Sequence, residues 1–338
     1  MSRVPDKLGF DFVQTNGHVQ YVWRNGKWSD DAELQASPYV RVHIAATALH
    51  YGQSVFEGLK AFRCRDGRVR VFRPDRNAAR MAESAERLMM PVVPTDVFIA
   101  AIERCIRANA DFIPSYEHGG SLYIRPILFG SGARVPPEPA DEYTFIVYVV
   151  PVGDYYAGTS AVTALVVRDA DRAAPLGVGH VKAAGNYAAS MESTLSSKKK
   201  GYPLSLYLDP LHHKYIDEFS TSNFVAIDAN GHYVTPESRT VLPSITNASL
   251  MQLCADMGIP VERRQIAIEE VARFAEVAAC GTAVVLSPVN RIVTDADVIS
   301  IGTLTIGPIM KRLYDRLKAI QRGDEPDPFG WMHVVPNV

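Results

Sequence analysis

Apolar and polar residues alternate through much of residues 40–152, and this alternation predicts strands. Three runs cover Val40 to Phe72, namely VRVHIAA, FEGLKAFR and VRVFR, and the Asp66-Gly67 pair between the last two is a hairpin signal. Two further runs follow, SLYIRPILF and FIVYVVPV. The last run is so continuously apolar that we expect it to be buried on both faces.

Helical periodicity interrupts these strands twice. A first amphipathic helix is predicted from about Asn77 to Leu88. A second begins at Thr95, which suits the N-cap position, and carries apolar residues at helical spacing: Phe98, Ile102 and Ile106. Strands and helices together predict one α+β domain in this part of the chain.

A second region begins beyond a looser stretch, GDYYAGTS. It contains four strand-like runs (AVTALVV, LSLYLD, NFVAID and HYVTP), a hairpin signal at Asn230-Gly231, and helical patterns near 246–257, 269–275 and 304–321. With 338 residues, 47% of them hydrophobic, the chain can fill two cores. We therefore predict an α+β fold of two domains: a smaller N-terminal α/β domain over 1–152, a linker over 153–160, and a larger, β-rich C-terminal α/β domain over 161–338.

Charge excludes some partners. The formal net charge is −2 with acids and bases interspersed, which argues against a nucleic-acid surface or a basic membrane patch. The one short basic run, Lys198–Lys200, is typical of a solvated helix face. The expected partner is therefore a small molecule.

The cysteines and the first residues indicate the compartment. No signal peptide or membrane span is expected, because the first 20 residues include Asp6 and Asp11 without an apolar run, and no stretch approaches 18 apolar residues. The cysteines are far apart and form no CxxC or metal-binding spacing: Cys64, Cys105, Cys254 and Cys280. These observations together predict a cytoplasmic protein with free thiols and no metal site.

The segment GHVKAAGNYAASM, residues 179–191, places Lys182 among glycines and alanines. Its small side chains offer the ammonium no carboxylate. For an arbitrary lysine, the ordinary explanation is a surface position with the ammonium in water. A chemical role for Lys182 therefore depends on the rest of the chain.

Four segments together resemble one family. LHYGQSVFEGLKAF, SLYIRP, VKAAGNY, and LPSIT followed by GTA are similar in order, spacing and residue type to the branched-chain amino-acid aminotransferases, and the resemblance covers nearly the whole chain. It implies a fold-type IV, D-amino-acid aminotransferase-like enzyme that uses pyridoxal 5′-phosphate (PLP) and forms homodimers with active sites at the subunit interface. The implied ping-pong reaction moves the amino group between leucine, isoleucine or valine and 2-oxoglutarate.

The resemblance implies a catalytic role for Lys182, as the residue that bonds to the PLP aldehyde and then shuttles a proton; its small apolar surroundings favour the neutral amine. Tyr187 would donate to the phenolic oxygen of the ring, although by itself it is typical of a packed core tyrosine. Glu218 matches the carboxylate that keeps the pyridine nitrogen protonated. Asp217 is its rival, but strand alternation puts the two on opposite faces, and register with the family selects Glu218.

The phosphate of PLP needs donors. The run after Pro243 predicts a helix start with Ser244 near the cap, so the amides of Ile245 and Thr246 would point at the anion. The resemblance implies further cofactor-binding residues: Arg80, Thr221 and Thr282.

Substrate binding is expected on one strand. Tyr123 and Arg125 are two residues apart and therefore face the same side, where the resemblance lets Arg125 bind the distal carboxylate of glutamate. The remaining implied contacts are Tyr51 from the neighbouring subunit, Phe56 and Tyr155 for an aliphatic side chain, and the amides of Thr282 and Ala283 for the α-carboxylate.

Residues 130–142, GSGARVPPEPADE, depart from the family. Members usually carry a short apolar and glycine loop there, whose tip covers the substrate of the partner chain, whereas this chain has Arg134, Val135 and two consecutive prolines. The departure leaves the substrate open. The CxxC motif of mammalian members is also absent, with Val284 and Ser287 in its place, so no thiol switch of that type is expected.

Three other functions share parts of the pattern. An aminodeoxychorismate lyase would keep Lys182 and Glu218 but has less use for Tyr123 and Arg125. A D-amino-acid or (R)-amine transaminase would present the carboxylate differently, which YIRP and GTA disfavour. A binding protein without chemistry would hold PLP and not turn over.

Overall fold

The computed structural model of the chain describes residues 3–153, 160–302 and 304–338. These residues form two compact units. The first consists of the described residues of 1–154 together with 181–185 and 319–338, and the second of the described residues of 155–180 and 186–318.

The first unit is built on an antiparallel sheet. Its elements in chain order are β1 (His18–Arg24), β2 (Lys27–Trp28), β3 (Glu33–Gln35), α1 (Thr47–Tyr51), β4 (Ser54–Phe56), β5 (Leu59–Arg63), β6 (Val69–Phe72), α2 (Pro74–Arg87), α3 (Thr95–Ala108), a 3-10 turn (Ala110–Phe112), β7 (Ser121–Gly130), β8 (Glu142–Val152) and, last in the chain, β18 (Met332–Val334). The sheet runs in the order β18-β6-β5-β7-β8-β1-β2, and β3 and β4 pair with β1 and β7.

Helices α2 and α3 supply the core of this unit because their apolar residues repeat at helical spacing. The α3 helix packs on β1 and β8. The buried residues come from both helices and from the inner face of the sheet: Met81, Ala85, Phe98, Ile102, Ile106, Leu122, Ile124, Phe145 and Val147.

The second unit is built on a sheet that closes on itself. Its elements are β9 (Val162–Val166), α4 (Ala184–Ala189), α5 (Met191–Lys199), β10 (Leu204–Leu208), β11 (Ile216–Phe219), β12 (Ser222–Ile227), β13 (Tyr233–Pro236), α6 (Ile245–Asp256), β14 (Val261–Arg264), a 3-10 helix (Ile268–Arg273), β15 (Glu276–Gly281), β16 (Val285–Val293), β17 (Val298–Ser300) and α7 (Pro308–Arg322). Residues 184–185 of α4 and 319–322 of α7 belong to the first unit. Pairings pass from β11 through β10, β9, β16, β15 and β12 and return to β11.

Several sequence predictions are confirmed. The α+β organisation is present, and both predicted hairpins form, with Gly67 and Gly231 at left-handed φ values of 78° and 85°. Strand β8 is buried on both faces apart from its first residue and Tyr148. Lys198–Lys200 is exposed at the end of α5, as the basic run predicted.

The strand predicted over residues 40–46 is wrong. Its apolar and polar residues do alternate, but among residues 40–46, all of which the structure describes, only Ala46 makes a β-bridge, to Ala133. Ile44 is 83% exposed, and α1 begins at Thr47. Alternation cannot by itself supply a neighbouring strand.

Helix ends differ slightly from the predictions. The first helix begins at Pro74, because a proline fits the first turn, where its missing amide costs nothing. Thr95 is the first helical residue of α3, and the extended Pro94 takes the N-cap position. The pattern near 269–275 forms a 3-10 helix over Ile268–Arg273, and the last helix begins at Pro308.

The two units also differ from the predicted domain boundaries. Residues 181–185 join the first unit, where Ala183 bridges to Val55, and 319–338 join it because β18 pairs with β6. Residues 154–159 of the predicted linker, Tyr155 included, lie outside the described residues. Among the helices described, none has the length and apolar run required to cross a membrane.

Candidate active site

Backbone hydrogen bonds fix Lys182 on both sides within the first unit. The Lys182 amide donates to Ser84 Oγ at 3.0 Å, and its carbonyl accepts from the Phe56 amide at 3.2 Å. Lys182 Nζ lies 4.9 Å from the centre of the Phe56 ring. The lysine is therefore held beside an aromatic ring in a half-buried position, not on an open surface as the ordinary explanation would have it.

A buried ion pair lies next to this lysine. Glu57 is 0% exposed and accepts from Arg80 Nε at 2.8 Å, Arg80 Nη2 at 2.7 Å and Asn77 Nδ2 at 2.7 Å. Burial raises the pKa of Glu57, but the charges of Arg80 and Lys182 and the amide of Asn77 outweigh burial and hold the pKa below its ordinary value. Glu57 is therefore an anion inside the first unit.

One face of α2 supplies the partners. Asn77, Arg80 and Ser84 are three and four residues apart, so they lie on the same side of the helix. Ser84 Oγ donates to the Arg80 carbonyl at 2.8 Å while it accepts from Lys182. Sequence reasoning selected Arg80 but missed Glu57, Asn77 and Ser84. Asn77 lies three residues before Arg80 and Ser84 four residues after it, and this helical spacing is a signal that could have identified both.

Tyr123 and Arg125 lie on one face of β7, as alternation predicted. Arg125 Nη2 donates to Tyr123 Oη at 3.0 Å, and Arg125 Cζ lies 4.7 Å from the centre of the Phe56 ring. The structure thus brings Lys182, Phe56, Tyr123 and Arg125 into one group. This group combines an amine, an apolar ring and a guanidinium, which can serve an apolar and an anionic substrate side chain in turn.

Tyr51 contacts the atypical 130–142 segment. It is 45% exposed at the end of α1, and its hydroxyl donates to the Val135 carbonyl. The Arg134 amide donates to the Ala45 carbonyl at 2.9 Å, and Arg134 Nε donates to the Pro139 carbonyl at 3.3 Å. The two segments therefore form one surface of the first unit.

Glu218 lies on β11 in the second unit and is 4% exposed. Its carboxylate accepts from Asn223 Nδ2 at 2.8 Å and from the Leu242 amide at 3.2 Å, and it pairs with Arg172 Nη2 at 2.8 Å. A cation and two neutral donors thus surround this buried carboxylate. It can therefore hold a positively charged ring nitrogen.

Asp217, the rival acid, has different partners. Its Oδ2 accepts from Thr240 Oγ1, and burial raises its pKa against the opposing hydrogen bonds of Thr240 and Ser238. The two adjacent acids therefore occupy different environments, as opposite faces of a strand require.

Sequence reasoning missed Arg172. Besides Glu218, its Nη2 donates to the Gly179 carbonyl at 2.9 Å and to the Thr240 carbonyl. A Cβ at Gly179 would collide with that Thr240 carbonyl and approach Arg172 Nη2 to 3.0 Å, so glycine is required there. The segment DADRAAP contains no pattern that marks its arginine, because only the folded chain reveals its burial.

Several predicted residues lie near Glu218 at one end of the closed sheet. Glu218 pairs with Asn223, Asn223 with Cys280, and Gly281 with Val285, so the turns that follow β11 and β15 are neighbours. These turns contain three of the predicted site residues: Thr221, which is exposed, and Thr282 and Ala283, which are half-buried.

The predicted start of α6 is confirmed. Ser244 is its N-cap and accepts from the Asn247 amide at 3.1 Å, which leaves the amides of Ile245 and Thr246 in the first turn, before any intrahelical acceptor. Leu242, two residues earlier, donates to Glu218, so this helix start lies near the carboxylate. Tyr187 is half-buried on α4.

Comparisons with known proteins identify what the whole chain is similar to. A family model described as amino-transferase class IV matches residues 54–292. The chain is 40% identical over 337 residues to a branched-chain-amino-acid aminotransferase of Haemophilus influenzae, a match that covers 98% of either protein. It is also similar to two solved structures. The branched-chain amino acid aminotransferase of Escherichia coli has a TM-score of 0.78 at 28% identity, covering 94% of this chain and 99% of that one. A branched-chain amino acid aminotransferase from T.th., complexed with N-(5′-phosphopyridoxyl)-L-glutamate, has a TM-score of 0.75 at 26% identity, covering 93% and 98%.

Proposed function

Because the chain belongs to the class IV aminotransferase family, we propose that it is a PLP-dependent branched-chain amino-acid transaminase. It moves the amino group between leucine, isoleucine or valine and 2-oxoglutarate, and so produces branched-chain 2-oxo acids and L-glutamate. The observation that carries the proposal is the position of the Phe56 ring, 4.9 Å from Lys182 Nζ and 4.7 Å from Arg125 Cζ. An apolar surface and a guanidinium beside one amine suit a site that takes both leucine and glutamate.

Each unit holds donors that suit PLP. In the second unit, the first-turn amides of Ile245 and Thr246, with a helix dipole behind them, suit a dianionic phosphate, and in the first unit the guanidinium of Arg80 suits the same group. The buried Glu218 carboxylate suits a protonated pyridine nitrogen. When bound, PLP supplies an electron sink for the α-carbon of the amino acid and a carrier for its amino group. We propose eight residues that hold it: Arg80, Lys182, Tyr187, Glu218, Thr221, Ile245, Thr246 and Thr282.

The chain's own residues bind the cofactor and move protons. Lys182 Nζ would bond to the cofactor and later take the proton from the α-carbon of the substrate, a role that suits an amine whose backbone is fixed on both sides. Glu218 would keep the proton on the ring nitrogen, and Tyr187 would donate a hydrogen bond to the phenolic oxygen.

Substrate recognition uses a second set of residues. Arg125, supported by the Tyr123 hydroxyl, binds the distal carboxylate of glutamate. Phe56 would contact an aliphatic substrate side chain, and the same role for Tyr155 stays a prediction from the family resemblance. The amides of Thr282 and Ala283 bind the α-carboxylate.

We propose that the enzyme acts as a cytoplasmic homodimer in which Tyr51 reaches the site of the neighbouring subunit. Exposed apolar residues around Tyr51 support this, since Ile44 is 83%, Leu49 65% and Val135 81% exposed. Such a patch is typical of a surface that another chain covers. Sedimentation of the purified protein tests the dimer.

The absorbance of the purified enzyme tests the reaction. Adding leucine or glutamate should bleach the visible band of bound PLP, and 2-oxoglutarate or the branched 2-oxo acid should restore it. D-alanine and (R)-1-phenylethylamine are the matched donors for the other transaminase specificities. The proposal is wrong if these donors bleach the band and leucine does not, or if leucine bleaches it without yielding an oxo acid.

A further inference from the structure

We propose that Glu57 is a positioning residue of the active site: it holds the Arg80 guanidinium in the orientation that binds the cofactor phosphate and places a negative charge beside the Lys182 amine. This inference rests on the proposed function, because it concerns the binding of PLP.

Four donor groups converge on the Glu57 carboxylate. Arg80 bonds both carboxylate oxygens, through Nε at 2.8 Å and Nη2 at 2.7 Å, and Asn77 Nδ2 adds a third bond at 2.7 Å. The Gly58 amide donates to the same carboxylate at 3.3 Å. A fully buried carboxylate can remain charged only if such partners compensate for the loss of water. The surrounding donors therefore stabilise the negative charge of Glu57.

The two bonds to Arg80 restrict its orientation. An arginine side chain has many rotamers, but a fork through Nε and one terminal nitrogen fixes the plane of the guanidinium. Arg80 is itself 9% exposed and lies in the middle of α2. A guanidinium that is already oriented loses less conformational entropy when it binds an anion.

The same group is linked to Lys182. Ser84, one turn after Arg80 on α2, connects the Arg80 carbonyl to the Lys182 amide. Glu57 follows Phe56, whose amide donates to the Lys182 carbonyl. The charged groups that act on Glu57 are Arg80 from α2 and Lys182 from the 181–185 segment. Removing the carboxylate would therefore leave two cations without their shared anion.

The test compares Glu57→Gln with Glu86→Gln, an exposed glutamate on the same helix. Equilibrium dialysis of the full-length protein, after its PLP has been removed, gives the dissociation constants of PLP and of pyridoxal, which lacks the phosphate. Glu57→Gln should weaken PLP binding by about 10- to 100-fold, the scale of a lost charged hydrogen bond, with a much smaller effect on pyridoxal. Glu86→Gln should change neither constant.

A spectroscopic measurement tests the second part of the proposal. The pH at which the visible band of bound PLP changes reports the protonation of the nitrogen at Lys182. Glu57→Gln should move this midpoint to lower pH, because a lost anion disfavours the protonated form. Glu57→Asp retains the charge and should keep the midpoint near that of the wild type, while its shorter side chain weakens PLP binding severalfold.

The outcomes are distinguishable. A folded Glu57→Gln protein with PLP affinity within twofold of the wild type and an unchanged midpoint would overturn the proposal. If Glu57→Gln does not fold, Glu57→Asp decides, and an unaltered PLP affinity in that variant would overturn it. Failure of the wild type to bind PLP or to transaminate leucine would instead contradict the proposed function.

Discussion

Lys182 Nζ lies 4.9 Å from the centre of the Phe56 ring. An ammonium at this distance from an aromatic ring is attracted by the ring's negative face. Arg125 Cζ lies 4.7 Å from the centre of the same ring, so one apolar side chain lies beside both the amine proposed to react and the cation proposed to bind the substrate. Substitutions of these three residues should therefore have separable effects.

Replacing Lys182 tests the reacting amine. Lys182→Ala removes the covalent link and the proton shuttle, so turnover should fall by about 10²- to 10⁴-fold or more. Bound PLP can persist through its phosphate contacts. Borohydride reduction followed by mass spectrometry should find PLP attached to the wild type and not to the variant. Lys199→Ala, at an exposed lysine on α5, is the control. Normal turnover of Lys182→Ala would exclude the assignment.

Substitutions of Glu218 and Asp217 distinguish the roles of these two adjacent acids. Glu218→Gln keeps the shape of the side chain but cannot stabilise a protonated ring nitrogen, so the rate should fall strongly while the fold remains. Asp217→Asn should be mild, because burial already raises the pKa of Asp217 and disfavours its charge. Single-turnover absorbance measures the rates, and circular dichroism checks the fold. Equal losses in both variants would contradict the choice of Glu218.

Arg172 is the cation that accompanies Glu218. Arg172→Met leaves a buried carboxylate without its charged partner, which typically costs about 3–5 kcal/mol. We expect a lower free energy of unfolding and weaker PLP binding, measured by urea titration and dialysis. Arg168→Met, at an exposed arginine nearby in sequence, is the matched control and should be nearly neutral. If both variants behave alike, the pair with Glu218 contributes nothing.

Arg125 should discriminate between substrates. Arg125→Met should damage the half-reaction with glutamate more than that with leucine, because a half-made charged pair costs about 2–5 kcal/mol and an apolar misfit about 1–3. The two half-reactions should separate by about one to two powers of ten. Stopped-flow absorbance with each amino acid measures them independently.

Arg134 is the alternative for the same carboxylate, since an arginine from the neighbouring chain could bind it. Equal losses in both half-reactions of Arg125→Met, with Arg134→Ala impairing glutamate alone, would transfer the role to Arg134.

The cysteines should be inert in the folded protein. All four are free and buried, and burial raises the pKa of Cys105 and of Cys254 to about 12. At pH 8 their thiolates are therefore scarce, and a thiol reagent such as DTNB should titrate almost none in the native enzyme and four in guanidinium chloride. Rapid modification of the native enzyme would show that a thiol is accessible.

The sequence predicted the residues whose side chains follow a local rule. Strand alternation placed Tyr123 and Arg125 together, and the structure joins them by a hydrogen bond. The capping pattern predicted Ser244, which accepts from Asn247. In both cases a short stretch of chain determines the geometry.

Residues defined by long-range packing were not predictable in this way. Glu57 accepts hydrogen bonds from Arg80, 23 residues away in sequence, and Arg172 donates one to the Thr240 carbonyl, 68 residues away. The residues next to Glu57 and Arg172 in sequence form no pattern that indicates burial of either side chain. The prediction of a strand at 40–46 was wrong because it rested on local alternation alone. A strand also needs a neighbouring strand to pair with, and the described fold supplies none there.

The pairing of β18 with β6 has a consequence for synthesis of the protein. Strand β6 is complete at Phe72, but its outer neighbour is residues Met332–Val334. While the intervening chain emerges from the ribosome, the amide and carbonyl groups along that side of β6 have no strand to pair with, and such edges promote association with other chains. The sheet that carries Tyr123 and Arg125 therefore acquires the last of its described strands only after the second unit has been made.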